Sequence, residues 1–363
     1  MPFCIFLLIF VAKKKQYTMK RSLLPLLFLL FFMQVMAQQA VLNKQRHFSK
    51  TVPPGNYSGI TWLGEDRYAV VNDKGRTSGF HLMTLQTDPA TGAILEARAD
   101  TFVTDHQPNR DEEGICYVPQ SGTVFVSGEA DGRIKEYRLD GQPTGRQLNI
   151  PAVFQSAYDN RGFEALTYDA ATHRFWTTSE NTLKNDGEKP SFERRIPNLL
   201  RLQSFGDDLQ PREQYWYLTD SSEVKATEGK SVLGVCGLAV LDDGHVVVLE
   251  REVYRTANNI GSYVHVKLYV VRPALQQAGD LLQKQLLIEF RTKMNFTDRS
   301  FANYEGLCVG PRLQDGRQLL VLIADSQDQF RGLLKDWFRT VAVAPLDFRP
   351  QRQSAADLSL QRK

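Results

Sequence analysis

The chain has 363 residues, with 44 Lys and Arg against 41 Asp and Glu, a formal charge of +3. That balance argues against a partner such as nucleic acid held on a basic surface. With 42% hydrophobic and 23% charged residues, the composition is that of a globular protein with chain enough for a sizeable core, and it excludes wholesale disorder.

In chain order, the first 37 residues contain Lys13, Lys14, Lys15, Lys20 and Arg21 and no acid. Without them the count is 39 bases to 41 acids, a charge of −2. From Met19, two cations precede an apolar run from Leu23 to Met33 and then the small residues Val35 and Ala37. This is the three-part pattern of a secretory signal peptide cleaved after Ala37, with translation expected to start at Met19. The apolar run of 11 residues is short of the roughly 20 that span a bilayer, so no permanent membrane anchor is expected. A periplasmic or secreted protein follows. Of the four cysteines, Cys4 lies in the leading segment, and Cys116, Cys236 and Cys308 sit in apolar strand-like contexts and read as buried free thiols.

From residue 38 one short pattern recurs five times: Ser58-Gly59-Ile60-Thr61-Trp62, Glu113-Gly114-Ile115-Cys116-Tyr117, Glu164-Ala165-Leu166-Thr167-Tyr168, Cys236-Gly237-Leu238-Ala239-Val240 and Glu305-Gly306-Leu307-Cys308-Val309. Each copy is followed by a Gly/Asp-rich turn and a second β-rich run, at 68–73, 124–129, 174–180, 246–250 and 319–325. Paired short strands across such turns are hairpins. Further runs such as Phe80–Gln86 and Arg133–Leu139 bring each unit to about four strands.

The expected fold is therefore all-β: a β-propeller of four-stranded blades, five countable and six if one copy is degenerate. Closure into a ring is preferred to a stacked sandwich because it removes free sheet edges. One domain is expected over 38–346, with 347–363 as a polar tail and insertions at Asn181–Pro197 and Glu252–Ser262. A short helix is expected at Pro273–Leu282. The last unit lacks an outer strand, which Val41–Lys50 would supply by pairing the two ends of the chain.

In a propeller the innermost strands ring a central channel, so equivalent repeat positions converge. At the entrance to the first strand stand Glu113, Glu164 and Glu305, with Ser58 and Cys236 in the other copies. At the end of the second run stand Asp73, Glu129, Glu180, Glu250 and Asp325. Eight acids in phase repel one another unless cations compensate them. Arg110, Arg161, Arg299, Lys74 and Arg251 lie close in sequence, so a salt-bridge ring or a cradle for an anionic substrate is one outcome. The other is a hard cation such as Ca²⁺, which favours clustered carboxylate oxygens. There is no GxSxG, HExxH, Walker A or GxGxxG motif, and the six histidines form no ligand pair by spacing. His173 and His245 fall in turns and are expected on the rim.

The segments SGITW…YAVVNDKG, DEEGICY…VFVSGEADGRIKEYRLDG, GFEALTY…RFWTTSEN, VVVLERE…VKLYVV and NYEGLCV…LLVLIADSQ resemble, in order from Ser58 to Leu346, the phytase-like "esterase-like activity of phytase" domain of exported bacterial proteins. Ala165 replaces the glycine of the third motif, and no Asp-rich calcium cluster of the phytase kind is present. The resemblance implies a propeller and hydrolysis of a phosphate or carboxylic ester, with calcium at the channel mouth.

In that reading one of Glu113, Glu164 and Glu305 acts as the general base, and the basic residues named above neutralise a small-molecule ester or phosphoester. Asp73, Glu129, Glu180, Glu250 and Asp325 hold the metal. The alternative is a non-catalytic propeller that binds a small molecule, glycan or protein partner.

Overall fold

The computed structural model describes residues 39–347 apart from Asn160. The expected signal peptide and nearly all of the expected polar tail lie outside the described residues. Among the described residues twenty strands form five four-stranded antiparallel sheets.

Blade 1 is β2 (Tyr57–Gly64), β3 (Arg67–Asn72), β4 (Thr77–Thr87) and β5 (Ile94–Pro108). Blade 2 is β6 (Glu112–Val118), β7 (Thr123–Gly128), β8 (Arg133–Arg138) and β9 (Pro143–Gln147). Blade 3 is β10 (Phe163–Asp169), β11 (Arg174–Ser179), β12 (Leu199–Gly206) and β13 (Pro211–Leu218). Blade 4 is β14 (Lys230–Val240), β15 (Val246–Arg255), β16 (Ser262–Val271) and β17 (Gln285–Met294). Blade 5 is β18 (Asn303–Arg312), β19 (Gln318–Asp325), β20 (Phe338–Val343) and β1 (Ala40–Leu42).

The strand β1 pairs antiparallel with β20, Ala40 opposite Val343 and Leu42 opposite Val341. The chain's N-terminal strand thus completes the last blade, as expected, although it is shorter than Val41–Lys50. A single bridge, Arg46 to Phe338, continues the contact. The innermost strands β2, β6, β10, β14 and β18 each neighbour the next, and β18 returns to β2.

Five apolar cores fill the five gaps between blades, and the core between blades 5 and 1 closes the ring. A middle strand therefore has two buried faces. In β19, Leu319, Val321 and Ile323 pack toward blade 1, while Leu320, Leu322 and Ala324 pack toward blade 4. This explains why the run LLVLIA is continuously apolar rather than alternating.

Three local expectations are corrected. Pro273–Leu282 forms only a 3-10 turn at Pro273–Leu275, since Pro and Gly leave too few residues to nucleate an α-helix. Much of Glu252–Ser262 is strand, because β15 runs on to Arg255 and β16 begins at Ser262. His245 is fully buried beneath its turn rather than on the rim. Cys116, Cys236 and Cys308 are buried and free. Among the described residues no helix is long and apolar enough to cross a membrane.

Candidate active site

Every innermost strand carries a β-bulge at the start of its repeat motif. Register shifts fall between Tyr57 and Gly59, Glu112 and Ile115, Phe163 and Ala165, Val235 and Gly237, and Tyr304 and Gly306. The residues at these bulges are Ser58, Glu113, Glu164, Cys236 and Glu305. A bulge breaks the inward-outward alternation and re-aims a side chain, here toward the channel.

The glycines that follow let neighbouring strands approach. A Cβ on Gly59 would lie 2.3 Å from the Glu113 carbonyl oxygen, and one on Gly114 would lie 2.7 Å from that of Glu164.

The second ring is set by the parity of the middle strands. Val71, Thr178, Leu249 and Ile323 pair with Gly59, Ala165, Gly237 and Gly306. Two residues further on, facing the next blade, stand Asp73, Glu180, Arg251 and Asp325, with Glu129 equivalent in blade 2.

The blade 4 member is thus Arg251 and not Glu250, which corrects the expectation of an acid in every copy. In β15, Val247, Leu249 and Arg251 face blade 5, whereas Val246, Val248 and Glu250 face blade 3. A one-residue offset exchanges the two faces of a strand. Glu250 accepts hydrogen bonds from Tyr217 Oη at 2.6 Å, Lys284 Nζ at 2.6 Å and Asp220 N at 3.0 Å, in a polar cluster between blades 3 and 4.

Arg251 is 6% exposed. Its Nη2 donates to Glu305 Oε1 at 2.7 Å and reaches Glu180 Oε1 at 3.4 Å, and its Nε lies 3.0 Å from Cys236 Sγ. Burial alone would lower its pKa, but Cys236, Glu305, Glu180 and Glu164 raise it on balance, so the guanidinium stays charged. Arg161 holds the other Glu180 oxygen at 2.5 Å. Lys74 bridges Asp73 and Asp111 at 3.1 and 2.6 Å from an exposed position on the rim.

Two basic residues do not join the ring. Arg110 donates to both oxygens of Asp131 at 2.9 and 3.1 Å, within blade 2. Arg299 lines an outer groove with Arg46, His47 and Trp337.

Compensation is incomplete. Glu113 and Glu164 are 6% and 7% exposed, and among the described residues neither has an ion-pair partner. Burial, reinforced by Glu164, Asp73 and Glu305, pushes the Glu113 carboxyl far above the usual carboxylate range. Burial and then Glu180 and Glu305 do the same to Glu164. Glu305 is pushed up to about 8 by burial, with Arg251 opposing and Asp325 and Asp73 adding. Asp325 rises to about 6, again chiefly by burial. Asp73 and Glu129 shift upward for the same reason. Glu129 Oε1 accepts from Gly162 N at 2.6 Å.

Two buried oxygens in this ring lack a hydrogen-bond partner among the described residues, Asp73 Oδ1 and Asn303 Oδ1. Asn303 lies opposite Asp325 in the ladder, and its Nδ2 donates to Glu305 Oε1 at 2.9 Å. Sequence reasoning missed Asn303, although Asn303-Tyr304-Glu305-Gly306 repeats Asn56-Tyr57-Ser58-Gly59 and flags the position. Orphaned acceptors beside unpaired acids have the donor chemistry a hard cation satisfies, so Asp73, Asp325 and Asn303 fit a divalent ion. Glu180, paired to two arginines, and Glu250, in its separate cluster, do not.

No three of the channel carboxylates close tightly together. Among the described residues the set whose ligand atoms lie within 4.8 Å of one another is Glu223, His265 and Glu289, outside the ring. There Arg291 and Lys267 already neutralise Glu223, at 2.8 and 2.5 Å.

The far channel mouth is a separate cavity of about 470 Å³, where Trp62, Tyr117 and Tyr168, the aromatic ends of three repeats, meet Cys116 and Cys308.

A closed five-bladed propeller with an acid-rich, arginine-anchored channel mouth is the class these features define. The phytase-like family model, described as "Esterase-like activity of phytase", matches residues 52–327, and the chain belongs to that family. A sequence comparison with curated proteins finds no match. Among solved structures, the chain is similar to an endo-arabinase from Bacteroides thetaiotaomicron, with 10% identity, 84% of this chain and 99% of that one covered, and a TM-score of 0.46. It is also similar to a luciferin-regenerating enzyme, with 13% identity, coverage of 83% and 97%, and a TM-score of 0.42.

Proposed function

We propose that the protein is an exported propeller hydrolase that cleaves a phosphate or carboxylic ester at the carboxylate-rich channel mouth with the help of a divalent cation, Ca²⁺ being the first candidate. The observation that carries this reading is the pair of partnerless buried oxygens, Asp73 Oδ1 and Asn303 Oδ1, beside acids that no base neutralises. Asp73, Asp325 and Asn303 would hold the ion. When bound, such an ion polarises the ester oxygen and lowers the pKa of an attacking water.

The chain's own residues supply the proton chemistry. Glu305, with its carboxyl near 8, exchanges a proton close to neutral pH, as a general acid or base requires. Arg251 fixes that carboxylate through Oε1 and leaves Oε2 for the substrate side. Glu113 and Glu164, held protonated by burial, can donate hydrogen bonds to an anionic oxygen. Lys74, exposed on the rim, draws an anionic substrate inward.

A second reading, a non-catalytic binding propeller, is favoured by the chain of ion pairs from Arg161 through Glu180 and Arg251 to Glu305, which fixes these charges without a ligand.

The test uses residues 38–363 against phosphate, carboxylic ester and lactone substrates, with Ca²⁺ or with chelator. Chelation should abolish turnover, and Glu305→Gln should lower kcat about 100-fold or more. Activity indifferent to chelator and to Glu113→Gln combined with Glu305→Gln would overturn the hydrolase mechanism. Absence of turnover on every substrate would favour the binding propeller.

A further inference from the structure

Beside the carboxylate ring, between blades 4 and 5, lies an apolar pocket with a volume of about 60 Å³. Its apolar lining is Val253, Met294, Phe301, Phe330, Leu333 and Leu334, and Arg255, Asn259, Ser262 and Gln327 line it as well. Its inner end is made by Asn303 and Asp325, the same two residues that would hold the cation. The pocket and the ring are therefore one continuous site, with hydrocarbon at one end and carboxylate at the other.

The outer wall belongs to the segment joining β19 to β20. That segment runs through four consecutive left-handed residues, Gln327, Asp328, Gln329 and Phe330, with φ of 51°, 52°, 57° and 25°. Non-glycine residues take this conformation at a cost, and it persists only where the surroundings impose it. Here Ser326 Oγ donates to Asp336 Oδ1 at 2.6 Å, and Gln329 Nε2 donates to Asp336 Oδ2 at 2.7 Å. The backbone N–H of Gln329 returns to Ser326 Oγ at 2.9 Å. This network, buried at Ser326 and Asp336, fixes the segment that brings Phe330, Leu333 and Leu334 to the pocket wall.

We propose that the ligand of the channel site is an amphiphile whose short apolar group fills this pocket while its ester end lies on the ring of Asp325, Asn303 and Glu305. This rests on the reading of the ring as the seat of an ester. A water-sized centre needs roughly 10–15 Å³, so the pocket has room for about four to six non-hydrogen atoms. That is a butyl-sized group, and the polyanion of a fully phosphorylated polyol has nothing to place there. The selectivity is for chain length: each buried methylene tightens binding about three- to fourfold until the pocket is full.

The experiment measures the binding of monoalkyl phosphates of one, two, four and eight carbons to residues 38–363 by calorimetry in Ca²⁺. Turnover of p-nitrophenyl acetate, butyrate and octanoate is followed in parallel. The expected result is a Kd that falls about tenfold or more from one carbon to four and then levels off, with Met294→Trp, which fills the pocket, flattening the series. A wild-type series that is flat, or that climbs steadily to eight carbons, overturns the proposal without reference to any variant. A graded affinity series with no turnover keeps the pocket and sinks the hydrolase reading. Turnover with no chain-length dependence keeps the hydrolase and sinks the pocket, and absence of both binding and turnover sinks both.

Discussion

Replacing Arg251 with Met removes the one cation buried within the ring and retains the length and apolar stem of the side chain. In the native protein its guanidinium lies 2.7 Å from Glu305 and 3.4 Å from Glu180, at 6% exposure. Removing one partner of a buried ion pair costs about 3–5 kcal/mol, because the other charge is left uncompensated in a low-dielectric setting.

Glu180 keeps Arg161, so the loss falls mainly on Glu305 and its neighbours. The cost has a definite pH dependence. The carboxyl of Glu305 is already raised to about 8, and without Arg251 it rises further. A carboxyl whose folded pKa exceeds its unfolded value loses stability as pH climbs from the unfolded to the folded pKa. At pH 5 the group is protonated in the folded state, so the variant should lose only about 1–2 kcal/mol of the buried hydrogen bonding. The further loss builds only above about pH 8, at about 1.4 kcal/mol per pH unit, because below that pH Glu305 is protonated in wild type and variant alike, so most of it should be present at pH 10. Denaturant unfolding of wild type and Arg251→Met at pH 5 and pH 10 measures this. A loss under about 1 kcal/mol at pH 10, or one equal at pH 5 and pH 10, would refute the placement of Arg251 at the centre of the acid ring.

The same register separates Glu250 from the site. Glu250→Gln should cost about 1.5–3 kcal/mol through its bonds to Lys284 and Tyr217, yet leave Ca²⁺ affinity and ester turnover within twofold of wild type. Gly59→Ala should destabilise by about 3 kcal/mol or more in thermal unfolding, because its Cβ would sit 2.3 Å from a backbone oxygen. Ala165→Gly should cost no more than about 1 kcal/mol. The raised pKa values of Glu305 and Asp325 mean that protons compete with a cation. Stabilisation by Ca²⁺ in a melting experiment should thus be small at pH 5 and grow through pH 6 to 8. Removing residues up to Leu42 leaves β20 an open edge and should lower the melting temperature without changing the number of blades.

Most of the architecture was legible because the five motifs repeat a backbone requirement. Each glycine or alanine follows a bulged residue and permits close strand approach, so its spacing reports the blades directly. Glu113, Glu164 and Glu305 could be read for the same reason, since the bulge fixes their phase relative to Gly114, Ala165 and Gly306. The second strands carry no such mark. With both faces buried, VVVLE and LLVLIAD show no polar alternation, and the last acid of the run was read as the ring residue when in blade 4 it is the residue after it. Arg299 was placed by nearness in sequence to Glu305, but the loop before β18 turns it outward. Asn303 carries no charge and was passed over, although its role follows from its position opposite Asp325.

Calcium titration by calorimetry at pH 8 goes to the heart of the proposed site. Wild-type protein should bind a single ion in the ring, Asp325→Asn should weaken it at least tenfold, and Glu223→Gln, in the cluster outside the ring, should leave it unchanged. Absence of any binding heat, or an ion lost with Glu223 and indifferent to Asp325, would contradict a cation site at the channel mouth.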